Sequence, residues 1–303
     1  MNPQQWPILR FCRGNPRLSH NSCYRRFSIS TPRPYRPLEI LHDGSVNTFR
    51  QTSFTPERPA ILPRSHFRSL PAATRWFDPS DQRPSRLNTE YLRTHGADAV
   101  VPLELTEQPT ETTDELSFRH FHAPLSLFLD WIHLVEASPQ STRLYLAQCQ
   151  LLDLPQTLCQ DLPTPDIVAQ AGRGDVYDTN LWIGYPPTYT PLHRDPNPNL
   201  FVQLAGQKVV RLLPPVEGQA LFGSARRELG KSGNREAAAF RGEEMMQGRE
   251  RALLDQMVWD TPAEKGYEAL LGAGDGLFIP KGWWHSIKGI GGGVTASVNW
   301  WFR

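Results

Sequence analysis

No stretch of 18 consecutive apolar residues occurs in this chain, so no segment is long and apolar enough to cross a bilayer as a helix. Cysteine is scarce: Cys12, Cys23, Cys149 and Cys159 are the full set, with no C-x-x-C pair and no framework spacing. That excludes a disulfide-stapled fold and a zinc-finger reader module, and it fits a reducing compartment. Net charge is nearly absent too. At a formal +1 it points to no partner, and outside the first segment there is no basic stripe of the kind that binds nucleic acid.

Acidic residues and lysine are wholly missing before Glu39, where arginines stand at 10, 13, 17, 25, 26, 33 and 36 with Ser19, Ser22, Ser28 and Ser30 among them. This is transit-peptide composition, and Arg25-Arg26-Phe27-Ser28-Ile29-Ser30-Thr31 resembles a presequence cleavage region. The expectation is a mitochondrial leader over residues 1–36. A disordered basic tail and a nuclear address are the alternatives, because Pro3, Pro7 and Pro16 oppose the amphipathic helix a presequence forms.

What is present is enough for a core. The 303 residues are 39% hydrophobic and 10% aromatic, with nine tryptophans, which rules out wholesale disorder and suits one large domain over 37–303.

The chemistry is concentrated in Thr190-Pro191-Leu192-His193-Arg194-Asp195 and the late Trp284-His285-Ser286. His193, Asp195 and His285 are able to form a two-histidine, one-carboxylate triad, which holds one face of an octahedral metal and leaves the other open. With 9 histidines an H-x-D is expected about 0.4 times by chance, so the pattern needs its surroundings. After Asp195 come Asn199 to Leu204 and Lys208 to Leu213, two β-rich runs around Ala205-Gly206-Gln207, which read as a hairpin. Alternation puts Asn199, Phe201 and Gln203 on one face, and Lys208, Val210 and Leu212 on one face of the returning run. A lysine pointing into a barrel loses several kcal/mol of hydration unless an anion meets it. A dicarboxylate is such an anion.

The segment from Asn180 to Pro215, with Gly274 to His285, Tyr145 to Asp153 and Val298 to Trp301, resembles the JmjC, cupin-like 2-oxoglutarate oxygenases, in particular the small JmjC-only hydroxylases. The likeness covers roughly residues 140 to 302 and runs more weakly from about 38. It implies a mainly β fold with flanking helices, a double-stranded β-helix of the jelly-roll or cupin type. It also implies that His193, Asp195 and His285 ligate Fe(II). Lys208 takes the place of the lysine that pairs with the distal carboxylate of 2-oxoglutarate; Tyr145 and Thr190 match hydroxyls that bond the same carboxylate. Asn199 and Asn299 match polar groups beside the metal and the keto-acid end, with Phe201 as packing. The implied reaction uses 2-oxoglutarate and dioxygen, releases succinate and carbon dioxide, and hydroxylates a C–H bond, with a protein side chain as the expected substrate.

Each assignment has a plainer rival. His285 beside Trp283 and Trp284 suits a core histidine, Asp195 before Pro196 a turn residue, and Lys208 after Gly-Gln a solvated hairpin lysine. Tyr145 and Thr190 are also ordinary strand residues, whereas Asn299 runs against strand propensity and shares its face with Thr295 and Ser297. Three function classes stay open: a hydroxylase, an N-methyl demethylase by the same chemistry, and a silent metal-binding cupin. The third predicts a broken triad or a missing lysine, and neither occurs.

The resemblance implies an opening helix near Val46 and a first barrel strand at 58–62, and the pattern predicts a helix over Leu125–Ile132 and strands at 99–105, 143–151, 180–184, 192–195, 200–204, 208–213, 276–279, 285–288 and 294–302. A polar insertion over about 218–262, rich in Gly, Arg and Glu, reads as one or two helices or a mobile lid near the barrel mouth, where it would admit or select substrate. No helices follow the last strand to make a dimer, so the expectation is a monomer.

Overall fold

The computed structural model describes residues 35–78, 84–107, 117–231 and 246–303. The arginine-rich leader therefore lies outside the described residues, apart from Tyr35 and Arg36. Those two belong to the fold: the Tyr35 hydroxyl donates to the Val258 carbonyl at 3.0 Å, and Arg36 opens a strand.

In chain order the strands are β1 (Arg36–Pro37), β2 (Ala60–Leu62), β3 (Val100–Glu107), β4 (Ser117–Pro124), β5 (Thr142–Gln150), β6 (Val176–Gly184) and β7 (Thr188–Arg194). They continue as β8 (Asn199–Ala205), β9 (Gln207–Leu213), β10 (Tyr267–Gly272), β11 (Gly276–Ile279), β12 (Trp284–Ile290) and β13 (Thr295–Phe302). The helices are α1 (Val46–Phe49), α2 (Pro71–Arg75), α3 (Thr89–Gly96), α4 (Leu125–Ala137), α5 (Gln156–Gln160), α6 (Asp166–Ala171), α7 (Pro215–Glu228) and α8 (Gly248–Asp255).

The strands form a five-stranded sheet, β1-β10-β9-β12-β7, and an eight-stranded sheet, β2-β11-β8-β13-β6-β5-β3-β4. From β6 to β13 the chain passes from one sheet to the other at every step except β9 to β10, which pair as a hairpin, and this is the jelly-roll arrangement expected from the sequence. It also corrects the hairpin reading. β8 bonds to β11 and β13, and β9 to β10 and β12, so Asn199–Leu204 and Lys208–Leu213 are consecutive yet lie in different sheets. At Gly206, with φ +66°, the chain crosses from one sheet to the other, and a Cβ there would lie 2.5 Å from the Val294 carbonyl oxygen. A glycine between two apolar runs marks a reversal but not its partner.

Both sheets are covered outside and filled inside. Phe128, Leu129 and Ile132 of α4 pack with Leu103, Leu146 and Ile183 on the outer face of the eight-stranded sheet. Phe222 and Ala225 of α7, with Leu254 and Val258, pack on Leu213 and Trp284 of the five-stranded sheet. The described part of the insertion is thus a clamped helical cover. The buried Glu250 of α8 bonds Arg226 and Lys231, and the Trp259 indole donates to Ser286. Its Ala237 to Met245 portion lies outside the described residues. Between the sheets, Val210, Leu212, Phe201, Leu277 and Ile279 form an apolar plug. Three strands, β1, β4 and β10, had no counterpart in the sequence reading. β4 is an edge strand whose Phe118 and Phe121 break alternation, and β10 lies at the end of a polar stretch.

Candidate metal and co-substrate site

His193 is the second-last residue of β7, and His285 is the second residue of β12; the two are direct partners in the antiparallel register, with ring centroids 4.1 Å apart. Asp195 follows two residues after His193, where the strand ends. The three side chains offer one ligand atom each, all within 4.8 Å of one another. His193 Nε2 stands 3.9 Å from Asp195 Oδ1, and His285 Nε2 3.7 Å from Asp195 Oδ2. Two metal bonds of about 2.1 Å span up to about 4.2 Å, so these separations admit one ion between the donors.

The backbone sets the orientation of both rings. His193 Nδ1 lies 2.8 Å from the Pro191 carbonyl, and His285 Nδ1 3.2 Å from the Trp283 carbonyl. A carbonyl only accepts, so Nδ1 carries the proton in each ring and Nε2 presents its lone pair to the centre. Asp195 is 5% exposed and accepts a hydrogen bond on Oδ2 from Asn199 Nδ2 at 2.7 Å. Burying a carboxylate is costly unless it is paired, and a divalent cation is the partner this donor set suits. Nitrogen and carboxylate donors on one side, with open space opposite, fit Fe(II) better than a closed structural zinc site.

Beside this centre lies the buried cation. Lys208 is 2% exposed; its Nζ donates to Ser297 Oγ at 2.7 Å and lies 3.4 Å from the Tyr145 hydroxyl. Lys208 belongs to one sheet and Ser297 and Tyr145 to the other, so the contact spans the sandwich. The aromatic faces of Phe201 and Tyr145 lie 5.3 and 5.9 Å from Nζ. A carboxylate set among these neighbours meets three hydrogen-bonding groups.

The expected residues therefore meet. Tyr145, Thr190, His193, Asp195, Asn199, Phe201, Lys208, His285 and Asn299 all line one pocket between the sheets. Asn299 accepts from the Trp182 indole through Oδ1 at 2.6 Å, which fixes its amide orientation. Trp182, Ile287, Trp301 and Ser297 join the site as residues not assigned from sequence. Ser297 had a signal, the shared face with Asn299; a tryptophan in a strand reads as packing and gives none.

A second cavity of about 460 Å³ lies alongside, lined by Glu104, His120, His122, Gln148, Gln150 and Asp153 with Met246 of the insertion. Glu104 is the register partner of Tyr145, so the cavity and the metal pocket open on the same face of the eight-stranded sheet.

A family model for the cupin-like domain matches residues 46–303. Lysine-specific demethylase JMJ30 of Arabidopsis thaliana is 26% identical over 260 residues, covering 85% of this chain and 53% of that protein. Lysine-specific demethylase 8 of Danio rerio is 26% identical over 272 residues, 89% of this chain and 59% of the relative. Lysine-specific demethylase JMJ32 of Arabidopsis thaliana is 24% identical, covering 84% and 78%. The chain thus spans a little over half the length of the first two. With a model match over residues 46–303, the chain belongs to the cupin-like domain family.

Proposed function

We propose that this protein is an Fe(II)- and 2-oxoglutarate-dependent dioxygenase that oxidises a C–H bond on a cationic side chain of a polypeptide. The convergence of His193, Asp195 and His285 carries the reading. Iron bound there, with 2-oxoglutarate and dioxygen, supplies an oxidant for hydroxylation while succinate and carbon dioxide leave. The chain's own residues do the rest. Lys208, Ser297, Tyr145 and Thr190 hold the distal carboxylate, Asn199 fixes Asp195, and Phe201, Ile287 and Trp301 exclude water.

Glu104 and Asp153 in the neighbouring cavity favour a lysine or arginine side chain as the group brought to the iron. Demethylation is the second reading, favoured by the names of the relatives. It needs no other site, because hydroxylation of an N-methyl carbon lets formaldehyde leave. Incubation with lysine, methyl-lysine and arginine peptides, followed by mass spectrometry, separates the two. Gain of one oxygen supports hydroxylation, loss of one methylene unit supports demethylation, and neither product on any cationic peptide defeats the substrate class.

We also propose the arginine-rich leader as a mitochondrial address. Residues 1–36 fused to a fluorescent reporter should reach mitochondria, and diffuse reporter would refute it. A monomer in solution is proposed with it, to be checked by sedimentation.

A further inference from the structure

Asn180 stands on β6 between a residue that lines the metal pocket and one that lines the neighbouring cavity. Its register partner on β13 is Asn299, which lines the metal pocket, and its partner on β5 is Gln150, which lines the cavity. Directly opposed residues share a face of the sheet, so all three carboxamides lie on the inner face. Asn180 is 0% exposed, and neither its Nδ2 nor its Oδ1 has a hydrogen-bond partner. Among the described residues it is the one side chain with both polar ends unmatched. One step further along β13, Trp301 lines the metal pocket and carries a buried indole N–H without an acceptor. Trp301 is opposite Asp178, two residues before Asn180 on β6, so the unmatched groups are neighbours. Buried polar groups are almost always paired, and a cluster of exceptions beside a metal pocket calls for a ligand.

A carboxamide with a free donor and a free acceptor on one plane complements the N–H and C=O of one extended residue, which point to the same side of the backbone. A carboxylate would meet only the donor, and a cation only the acceptor. Resting on the oxygenase reading above, we propose that Asn180 binds the backbone N–H and C=O of the substrate residue whose side chain is to be oxidised, with the Trp301 N–H as a further donor. Asn180 sets how far that side chain reaches toward the iron. Asn180 is shut off from solvent, so the contact forms when a long neighbour moves aside; Gln148 and Gln150, both exposed, border it.

The probes are Nα-acetyl-lysine N-methylamide and pentylamine, which share a charged chain and differ in the amides. Binding to the full chain is followed by ligand-observed NMR. The wild-type protein should bind the capped lysine about ten-fold more tightly than pentylamine, as one desolvated amide pair implies. Asn180→Leu, which removes both polar ends at similar volume, should bind the two alike. Where that variant does not fold, Asn180→Ala should behave the same way. Retention of the wild-type preference in either variant would overturn the proposal and leave an ordered water as the partner of Asn180. So would absence of any preference, or of binding, in the wild-type protein. Succinate formation by the wild-type protein without substrate is measured alongside: its absence counts against the oxygenase reading itself, and its presence with no amide preference against Asn180 alone.

Discussion

Asn199 donates to Asp195 Oδ2 at 2.7 Å from four residues further along the chain, so the strand that follows the turn holds the carboxylate that precedes it. Both are nearly inaccessible. The carboxylate cannot rotate freely, and the two imidazoles are held in turn by the Pro191 and Trp283 carbonyls.

Asn199→Ala should leave the fold intact and weaken Fe(II) binding about 10–100-fold, the usual effect of removing a group that orients a ligand. Titration with Fe(II) under anaerobic conditions checks this. An unchanged affinity would mean that the hydrogen bond orients nothing.

Lys208→Met should abolish stabilisation by 2-oxoglutarate. Truncating one member of a buried, hydrogen-bonded charge pair costs about 2–5 kcal/mol of binding. Without the co-substrate the same variant should be as stable as the wild type or more so, since an ammonium no longer has to be desolvated. Thermal unfolding with and without 2-oxoglutarate reads both effects, and an equal upward shift in both proteins would remove Lys208 from the site.

Gly218 in α7 lies against the ring of Trp284, where an added Cβ would stand 2.1 Å from Cγ and 2.3 Å from Cδ1. Alanine in a helix is ordinarily better than glycine by about 1 kcal/mol. Trp284 is 1% exposed and has nowhere to go, so the clash dominates and Gly218→Ala should lower stability by about 1–3 kcal/mol. Because Trp284 precedes His285, iron affinity should fall too. A higher urea midpoint would show that the helix slides without cost.

Burial pushes the Cys149 thiol up from its ordinary 9.0 to about 12, with Asp153 adding to the rise. An acid whose pKa is raised in the folded state contributes stability that is whole below the unfolded value and lost as pH climbs through the folded one. The thiol's contribution should therefore be constant below pH 9 and fall by up to about 1.4 kcal/mol per unit between 9 and 12. Urea unfolding at pH 8 and 10.5 should show a smaller loss in Cys149→Ala than in the wild type; equal losses would contradict it.

How much of this was legible depended on whether a residue's role is local. The triad and Lys208 could be read because several separated motifs agree in order with a known family, and Asn299 because it runs against strand propensity on a face shared with Thr295 and Ser297. Strand pairing could not be read in this way. The short turn at Gly206 suits a hairpin, and only the competition of β11 and β13 for β8 sends β9 to the other sheet. Trp182 and Glu104 were hidden for the same reason, since their roles come from cross-strand neighbours, Ser297 and Tyr145, far away in sequence. The cover built by α7 and α8 was legible as helical but not as clamped, because Glu250 meets Arg226 and Lys231 only in three dimensions.

The central claim is that His193, Asp195 and His285 make an iron centre that turns over 2-oxoglutarate. Purified protein supplied with Fe(II), ascorbate, dioxygen and 2-oxoglutarate should form succinate without added substrate, and Asp195→Ala should form none above the metal-only background. Succinate production by Asp195→Ala at the wild-type rate would contradict the account.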